Sequence, residues 1–109
     1  MHELAIAESV VDTVTQRLPD AKVTCVHLEI GPLSGVVPDS IRFCFDLATE
    51  GTGMAGAELK ITEPPARCLC RACGAEFAPD SQIVLCRCGS PDVAVLSGEQ
   101  LKIISVKVA

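Results

Sequence analysis

Apolar residues recur at helical spacing in two segments of the chain. Residues 3–18 carry an apolar stripe that predicts an amphipathic helix with one face on the core, and Pro19 ends this helix. The stripe consists of Leu4, Ala7, Val11, Val14 and Leu18. A second helix is predicted to begin at Pro38 and to continue through Phe45 and Ala48.

Three other segments alternate apolar and polar residues with the period of two that strands have. The first runs from Val23 to Ile30. Its predicted core face consists of Thr24, Val26, Leu28 and Ile30. The second covers residues 58–63. The third covers residues 101–108, where the Ile103-Ile104 pair interrupts the alternation and predicts a bulge. The glycine-rich segment 51–56 is expected to be a mobile loop.

The order of these elements predicts an α+β fold. The simplest arrangement is a small three-stranded sheet packed against two helices, with a cysteine-rich module inserted before the last strand. We therefore expect an α/β domain formed by residues 1–65 plus 97–109. Residues 66–96 are expected to form a zinc-ribbon-like module with four metal-binding cysteines.

The charge balance disfavours several functions. Fourteen acidic and nine basic residues give a net charge of -5, whereas a nucleic-acid binder needs basic surface to displace counterions from phosphates. With no Trp, no Tyr and three Phe, the chain also offers few platforms on which bases could stack. No apolar run approaches the ~18 residues of a membrane span, and the Met-His-Glu-Leu start does not resemble a signal peptide. We expect a cytoplasmic protein with neither nucleic-acid nor membrane partners.

Five of the seven cysteines lie between Cys68 and Cys88. Clustered cysteines in a reducing compartment favour metal binding over disulfides, and four thiolates form the closed tetrahedral set of structural Zn²⁺. The predicted zinc ligands are Cys70, Cys73, Cys86 and Cys88, two short-spaced pairs that are each followed by Gly. The second pair has a spacer one residue shorter than usual, so its turn must be tighter or distorted. Cys68 is either a free thiol or an alternative ligand.

Other interpretations of the cysteines remain open. They could be reduced structural cysteines, or they could hold rubredoxin-like iron, since iron and zinc share this ligand set. A zinc ribbon used only for protein interaction is a further alternative. Four thiolates leave no position for a catalytic water, and no other constellation in the sequence suggests catalysis. The chain is not expected to be an enzyme.

The N-terminus offers a second set of metal ligands. A free α-amine, the adjoining amide nitrogen and the imidazole of His2 can close adjacent chelate rings on one ion. Such nitrogen-rich, planar geometry suits Ni(II) or Cu(II). From residue types alone this signal is weak, since a His at position 2 is usually incidental.

The chain resembles the hydrogenase nickel-incorporation proteins of the HypA/HybF family. The likeness begins with Met-His-Glu-Leu-Ala-Ile-Ala at residues 1–7 and covers essentially the whole chain in order. Its further segments are Val26 to Gly31, Val37 to Ser40, Phe43, Cys70-x-x-Cys73-Gly and Ile103 to Val106. The chain departs from the family in its second cysteine pair, where two intervening residues are usual.

The resemblance implies a nickel metallochaperone with a structural zinc module. In that family Ni²⁺ binds through the N-terminal amine, which here belongs to Met1, and through the His that matches His2. Backbone amides near His2 and Glu3 also take part, and Glu3 modulates the site. The two cysteine pairs hold Zn²⁺. The implied partners are a nickel-handling GTPase of the HypB type and the large subunit of [NiFe] hydrogenase. Some relatives also serve urease, and a homodimer stays open.

Overall fold

The computed structural model describes residues 2–109, which form two helices and six strands. Helix α1 spans Glu3–Arg17 and helix α2 spans Pro38–Thr49. The strands are β1 (Val23–Ile30), β2 (Glu58–Thr62), β3 (Arg67–Cys70), β4 (Glu76–Phe77), β5 (Val93–Ser97) and β6 (Leu101–Val108). They form two three-stranded sheets with the orders β2-β1-β6 and β4-β3-β5. The predicted α+β class is confirmed, while the second sheet, within the cysteine-rich segment, was not foreseen.

The first sheet and the two helices enclose the hydrophobic core. Strand β1 is central, parallel to β2 and antiparallel to β6. The buried core includes Ala7, Val10, Val11 and Val14 of α1, Ile41 and Phe45 of α2, and Val26, Leu28 and Ile30 of β1. Neither helix has the length and apolarity that crossing a bilayer requires.

Both ends of the predicted stripe on α1 are exposed, which corrects the sequence prediction. Leu4 is 45% exposed and Leu18 is 38% exposed. Only the central turns of α1, from Ala7 to Val14, are buried in the core. Leu4 and Leu18 lie about one turn beyond that stretch at either end, so they extend past the buried face of the helix.

Two bulges, one in β1 and one in β6, change which residues of these strands face the core. Between Val23 and Cys25, strand β1 has an extra residue relative to β6, so Val23 is buried while Thr24 is exposed. The predicted core position of Thr24 is therefore wrong. The register also shifts between His27 and Leu28, whose partners are Ser105 and Ile103. This shift leaves Ile104 as the extra residue and confirms the bulge predicted at the Ile103-Ile104 pair.

The glycine-rich segment 51–56 is a packed series of turns and not the loose loop expected. Met54 is 2% exposed and belongs to the core. The carbonyl of Gly53 accepts a hydrogen bond of 3.0 Å from the N–H of Val23. Met54, the one large apolar side chain among the glycines, therefore anchors the segment in the core.

The two sheets meet at a tight backbone crossing. The N–H of Leu33 donates to the carbonyl of Gly98 at 2.7 Å, and the N–H of Gly31 donates to the carbonyl of Gln100 at 2.8 Å. A Cβ at Gly31 would overlap the carbonyl of Gly98, and Gly98 itself has φ +123. Only glycine fits both requirements, so this crossing holds the segment after β1 against the segment that links β5 to β6.

Candidate functional site

Four cysteine sulfurs converge at one end of the second sheet. They are the one group of potential ligand atoms in residues 2–109 that lies within metal-binding reach, with Cys70, Cys73, Cys86 and Cys88 all within 4.8 Å of one another. The Sγ atoms of Cys70 and Cys88 are 3.7 Å apart, and those of Cys73 and Cys86 are 3.6 Å apart. A tetrahedron of thiolates at ~2.3 Å from zinc has edges of about 3.8 Å. The two shortest of these separations therefore match the edges of a tetrahedral thiolate site.

The first cysteine pair is held in a turn that closes onto strand β3. Cys70 is the last residue of β3, and its N–H donates to the carbonyl of Ala75 at 2.8 Å. The N–H of Gly74 returns to the carbonyl of Cys70 at 2.9 Å, with φ +77 at this glycine. The N–H of Cys73 points at the sulfur of Cys70, 3.5 Å away. This turn directs both sulfurs to the same side.

The second pair uses the same design with one residue fewer. The N–H of Cys86 donates to the carbonyl of Ser90 at 3.3 Å. The N–H of Gly89, with φ +90, donates to the carbonyl of Cys86 at 2.8 Å. That bond reaches back three residues, whereas the bond of Gly74 reaches back four. The shorter spacer is thus accommodated by a tighter turn, which delivers both sulfurs of this pair to the cluster.

The four thiols cannot all ionise by themselves. The N–H of Cys73 lowers the pKa of Cys70 to about 7. The pKa of Cys88 is lowered by the N–H of Ser90 but raised by the thiols of Cys86 and Cys70, with a net rise to about 11. The pKa of Cys73 is also raised, because the sulfurs of Cys70 and Cys86 outweigh the N–H of Ala75. Only a bound cation would make four thiolates stable at this spacing.

Cys68 lies outside the four-sulfur group. It is fully buried in β3, where it pairs with Phe77 of β4 and Val95 of β5. Burial and, secondarily, the charge of Glu99 raise its pKa. Its surroundings are those of a core thiol of the second sheet.

The predicted nickel ligands lie at the start of α1. Met1 is outside the described residues. His2 is exposed and occupies the position before the helix, where its side chain makes no capping hydrogen bond. Its carbonyl accepts the first helical bond, from the N–H of Ile6 at 3.1 Å. The amides of His2 and Glu3 precede that bond, so using them as metal ligands breaks no helical hydrogen bond.

The carboxylate of Glu3 links this terminus to α2. Its Oε2 accepts a hydrogen bond of 3.4 Å from the N–H of Val37, the residue immediately before α2. His2 and Glu3 also line an open groove between the two helices. The other residues lining this groove are Leu4, Ala5 and Glu8 of α1 and Asp39, Ser40, Phe43 and Cys44 of α2.

The groove was only partly foreseeable from the sequence. Glu8 falls on the polar side of the helical pattern, and nothing in the pattern shows that it lies near Asp39 or Cys44. The sequence pattern indicates only that His2 and Glu3 lie at an exposed helix end, because they precede the buried stretch of α1.

Comparison with known proteins identifies the family. A family model described as hydrogenase/urease nickel incorporation, metallochaperone, HypA matches residues 1–108. The hydrogenase maturation factor HypA of Geotalea uraniireducens is 48% identical over 109 residues, which cover 99% of this chain and 99% of that protein. The factor of the same name from Nostoc punctiforme is 45% identical over 108 residues, covering 99% and 96%.

Solved structures show the same fold. The solution structure of the Ni metallochaperone HypA from Helicobacter pylori matches with a TM-score of 0.65 at 20% identity, covering 99% of this chain and 97% of that one. At this identity the likeness concerns the fold, and the sequence matches carry the assignment. Together with the match over residues 1–108, they show that this chain belongs to the HypA family of hydrogenase maturation factors.

Proposed function

We propose that this protein is a nickel metallochaperone that binds Ni²⁺ at its N-terminus and delivers it during maturation of [NiFe] hydrogenase in the cytoplasm. The observation that carries the proposal is the family match, which begins at residue 1 and so includes the His2-Glu3 start. The proposed nickel ligands are the amine of Met1, backbone amide nitrogen near His2 and Glu3, and the imidazole of His2.

The surroundings of His2 suit a carrier. The residue is exposed and precedes the core-facing part of α1, so an ion held there remains accessible to a second protein. An amine and an imidazole bind a metal ion only through a nitrogen that carries a free lone pair, so protons compete with the metal for both groups. The site can therefore bind nickel and also release it.

The four-cysteine cluster is proposed to hold a structural Zn²⁺. With four thiolates the coordination is closed, so an ion there is unsuited to transfer. Soft sulfur ligands at one site and nitrogen ligands at the other also favour different metals. This difference would keep the structural ion and the transported ion apart in one small protein.

The proposed partners follow from this role. A HypB-type GTPase would exchange nickel with the chain, and the large subunit of [NiFe] hydrogenase would be the final acceptor. The matching family is described by both hydrogenase and urease nickel incorporation, so urease is a second candidate client. Homodimerisation remains a prediction.

The decisive experiment is metal analysis of the untagged, full-length protein before and after nickel loading, followed by mixing with metal-free hydrogenase large subunit. We expect one equivalent of zinc as purified, one further equivalent of nickel after loading, and movement of nickel alone to the large subunit. A protein that retains zinc but binds no nickel would support the interaction-module alternative. A purified protein with iron absorption would support the electron-carrier alternative.

A further inference from the structure

An unusual concentration of exposed apolar side chains surrounds the proposed nickel site. Phe43 is 67% exposed, Val37 51%, Leu47 47% and Leu4 45%. Phe43 and Leu4 line the groove that also contains His2. Val37 is tied to Glu3 through its backbone, and Leu47 lies one turn after Phe43 on α2. Exposed apolar side chains grouped in this way mark surfaces that another molecule covers.

The charged side chains that line the groove are acidic. Among residues 2–109 they belong to Glu3, Glu8 and Asp39, and this part of the lining contains neither Lys nor Arg. A segment that fills the groove is therefore favoured if it brings Lys or Arg alongside its apolar contacts. A second copy of this chain fits poorly, because a two-fold contact would place the three carboxylates of one groove against those of the other.

The position of the groove selects the kind of partner. Any protein that gives nickel to His2, or takes it, must bring its own ligands to an imidazole that lies on the groove wall. We propose that the groove between α1 and α2 is the docking surface for the nickel-exchanging partner, which inserts a segment with an apolar side chain flanked by Lys or Arg. This proposal rests on the proposed function.

Phe43 is the expected anchor of this contact. It is the most exposed of the four apolar residues, and large aromatic side chains at the centre of an interface commonly contribute most to its affinity. The acidic side chains would act mainly on the association rate and on its salt dependence. The two kinds of residue therefore have different kinetic signatures.

The test uses the full-length, nickel-loaded protein and two purified probes, the HypB-type GTPase and the metal-free hydrogenase large subunit. Phe43→Ala is compared with Leu96→Ala, since Leu96 is a 53% exposed apolar residue in the second sheet. We expect Phe43→Ala to weaken binding of a probe by about tenfold or more while nickel affinity stays unchanged. Leu96→Ala should bind the same probe as the wild type does.

A second pair of variants tests the charge. Glu8→Lys should slow association and reduce its dependence on salt, whereas Asp20→Lys, an exposed acid outside the groove, should not. Wild-type binding of the probes by Phe43→Ala, or weakening by Leu96→Ala instead, overturns the docking proposal alone. So does a wild-type dimer that Phe43→Ala dissociates, because the occupant is then a second copy. A wild-type protein that binds no nickel contradicts the proposed function instead.

Discussion

The sulfur atoms of Cys70 and Cys88 lie 3.7 Å apart although they belong to turns of different length. The turn at Cys70 closes through a bond that reaches back four residues, and the turn at Cys88 through one that reaches back three. The shorter turn nevertheless brings its sulfurs to the spacing of a tetrahedral site. The departure of the second pair from the usual spacing is thus a local change that still brings all four sulfurs together.

Removing one ligand should release the metal and disorder the second sheet. Structural zinc in small modules contributes about 10–16 kcal/mol of apparent binding energy, which is also folding energy. We expect Cys73→Ala to lose zinc and residues 66–96 to lose amide-exchange protection. The first sheet and its helices should largely retain theirs, because their core is made by residues outside this segment. Metal analysis and hydrogen exchange measure both effects, and a Cys73→Ala protein with a full equivalent of zinc would refute the assignment.

Cys68 should be dispensable for metal binding. It lies in β3 between Phe77 and Val95, and its sulfur does not belong to the cluster. Cys68→Ser should keep one equivalent of zinc, with a stability loss of about 1–3 kcal/mol because a buried hydroxyl replaces a buried thiol. Cys88→Ser is the matched comparison and should lose the tetrathiolate site. The opposite result for the two variants would place Cys68 among the ligands.

The zinc affinity should depend on pH in two regimes. Cys73 and Cys88 have raised pKa values in the metal-free protein, so both must lose a proton on metal binding across the neutral range. Cys70 has a pKa of about 7, so it is largely ionised above that pH. It releases a proton on zinc binding only below that pH. The logarithm of the zinc affinity should rise with pH and should rise more steeply below about pH 7. Competition with a chelator measures the slope, and a uniform slope through pH 7 would contradict the assignment to Cys70.

The same pKa shifts have opposite effects on the metal-free fold. The pKa of Cys70 lies below the ordinary thiol value of 9.0, so its contribution to the free energy of unfolding is present above pH 9 and is lost as pH falls through about 7. The pKa of Cys88 is raised, so its contribution to the free energy of unfolding is present below pH 9 and is lost as pH rises through about 11. The metal-free cluster therefore loses stabilisation at both ends of the range.

The sequence predicted the elements of the first sheet better than their ends and faces. Periodicity located both helices and three strands, because each has a buried face that repeats with the period of its element. It failed at Leu4 and Leu18, since the pattern does not show how far along α1 the hydrophobic core extends. It failed at Thr24 because a bulge reverses the faces, and the alternation alone does not reveal a bulge at a strand end.

The second sheet was missed for a different physical reason. Its strands are short, and β4 has only two residues, too few to show a period. The spacing of the cysteines, in contrast, is a strong local signal, and it selected the four residues whose sulfurs the fold brings together. The groove between the helices depends on how α1 and α2 pack, so its acidic and aromatic residues could be recognised only in three dimensions.

Glu3 should tune nickel binding without being required for it. Its carboxylate accepts a long hydrogen bond of 3.4 Å from the N–H of Val37. We expect the carboxylate to add about 1 kcal/mol to nickel binding, which is less than the ~1.5–3 kcal/mol of a well-formed bond to a charged group. Glu3→Gln keeps an oxygen acceptor for Val37 and should weaken nickel binding by severalfold, whereas Glu3→Ala should weaken it more. Titration with nickel at constant pH compares the variants. Complete loss of nickel in Glu3→Gln would show that the carboxylate is a metal ligand.

Nickel binding should require both the imidazole of His2 and a free amine at Met1. His2→Ala should abolish the site and leave the fold and zinc content intact, because the residue is exposed and precedes the buried part of α1. The second His of the chain is the matched control. His27 is half-buried on the first sheet, with its Nε2 3.2 Å from the hydroxyl of Thr62, and His27→Ala should bind nickel as the wild type does.

The amine is tested by extending the chain. An N-terminal extension converts the amine to an amide and should weaken nickel binding strongly even with His2 present, whereas an equal extension after Ala109 should not. In the unextended protein, nickel affinity should rise with pH, because protons compete with the metal for the imidazole and the amine. In the N-terminally extended protein, the part of this rise due to the amine should disappear. If this extended protein and His2→Ala both bind nickel as tightly as the wild type, nickel binds elsewhere and the proposed mechanism of delivery is wrong.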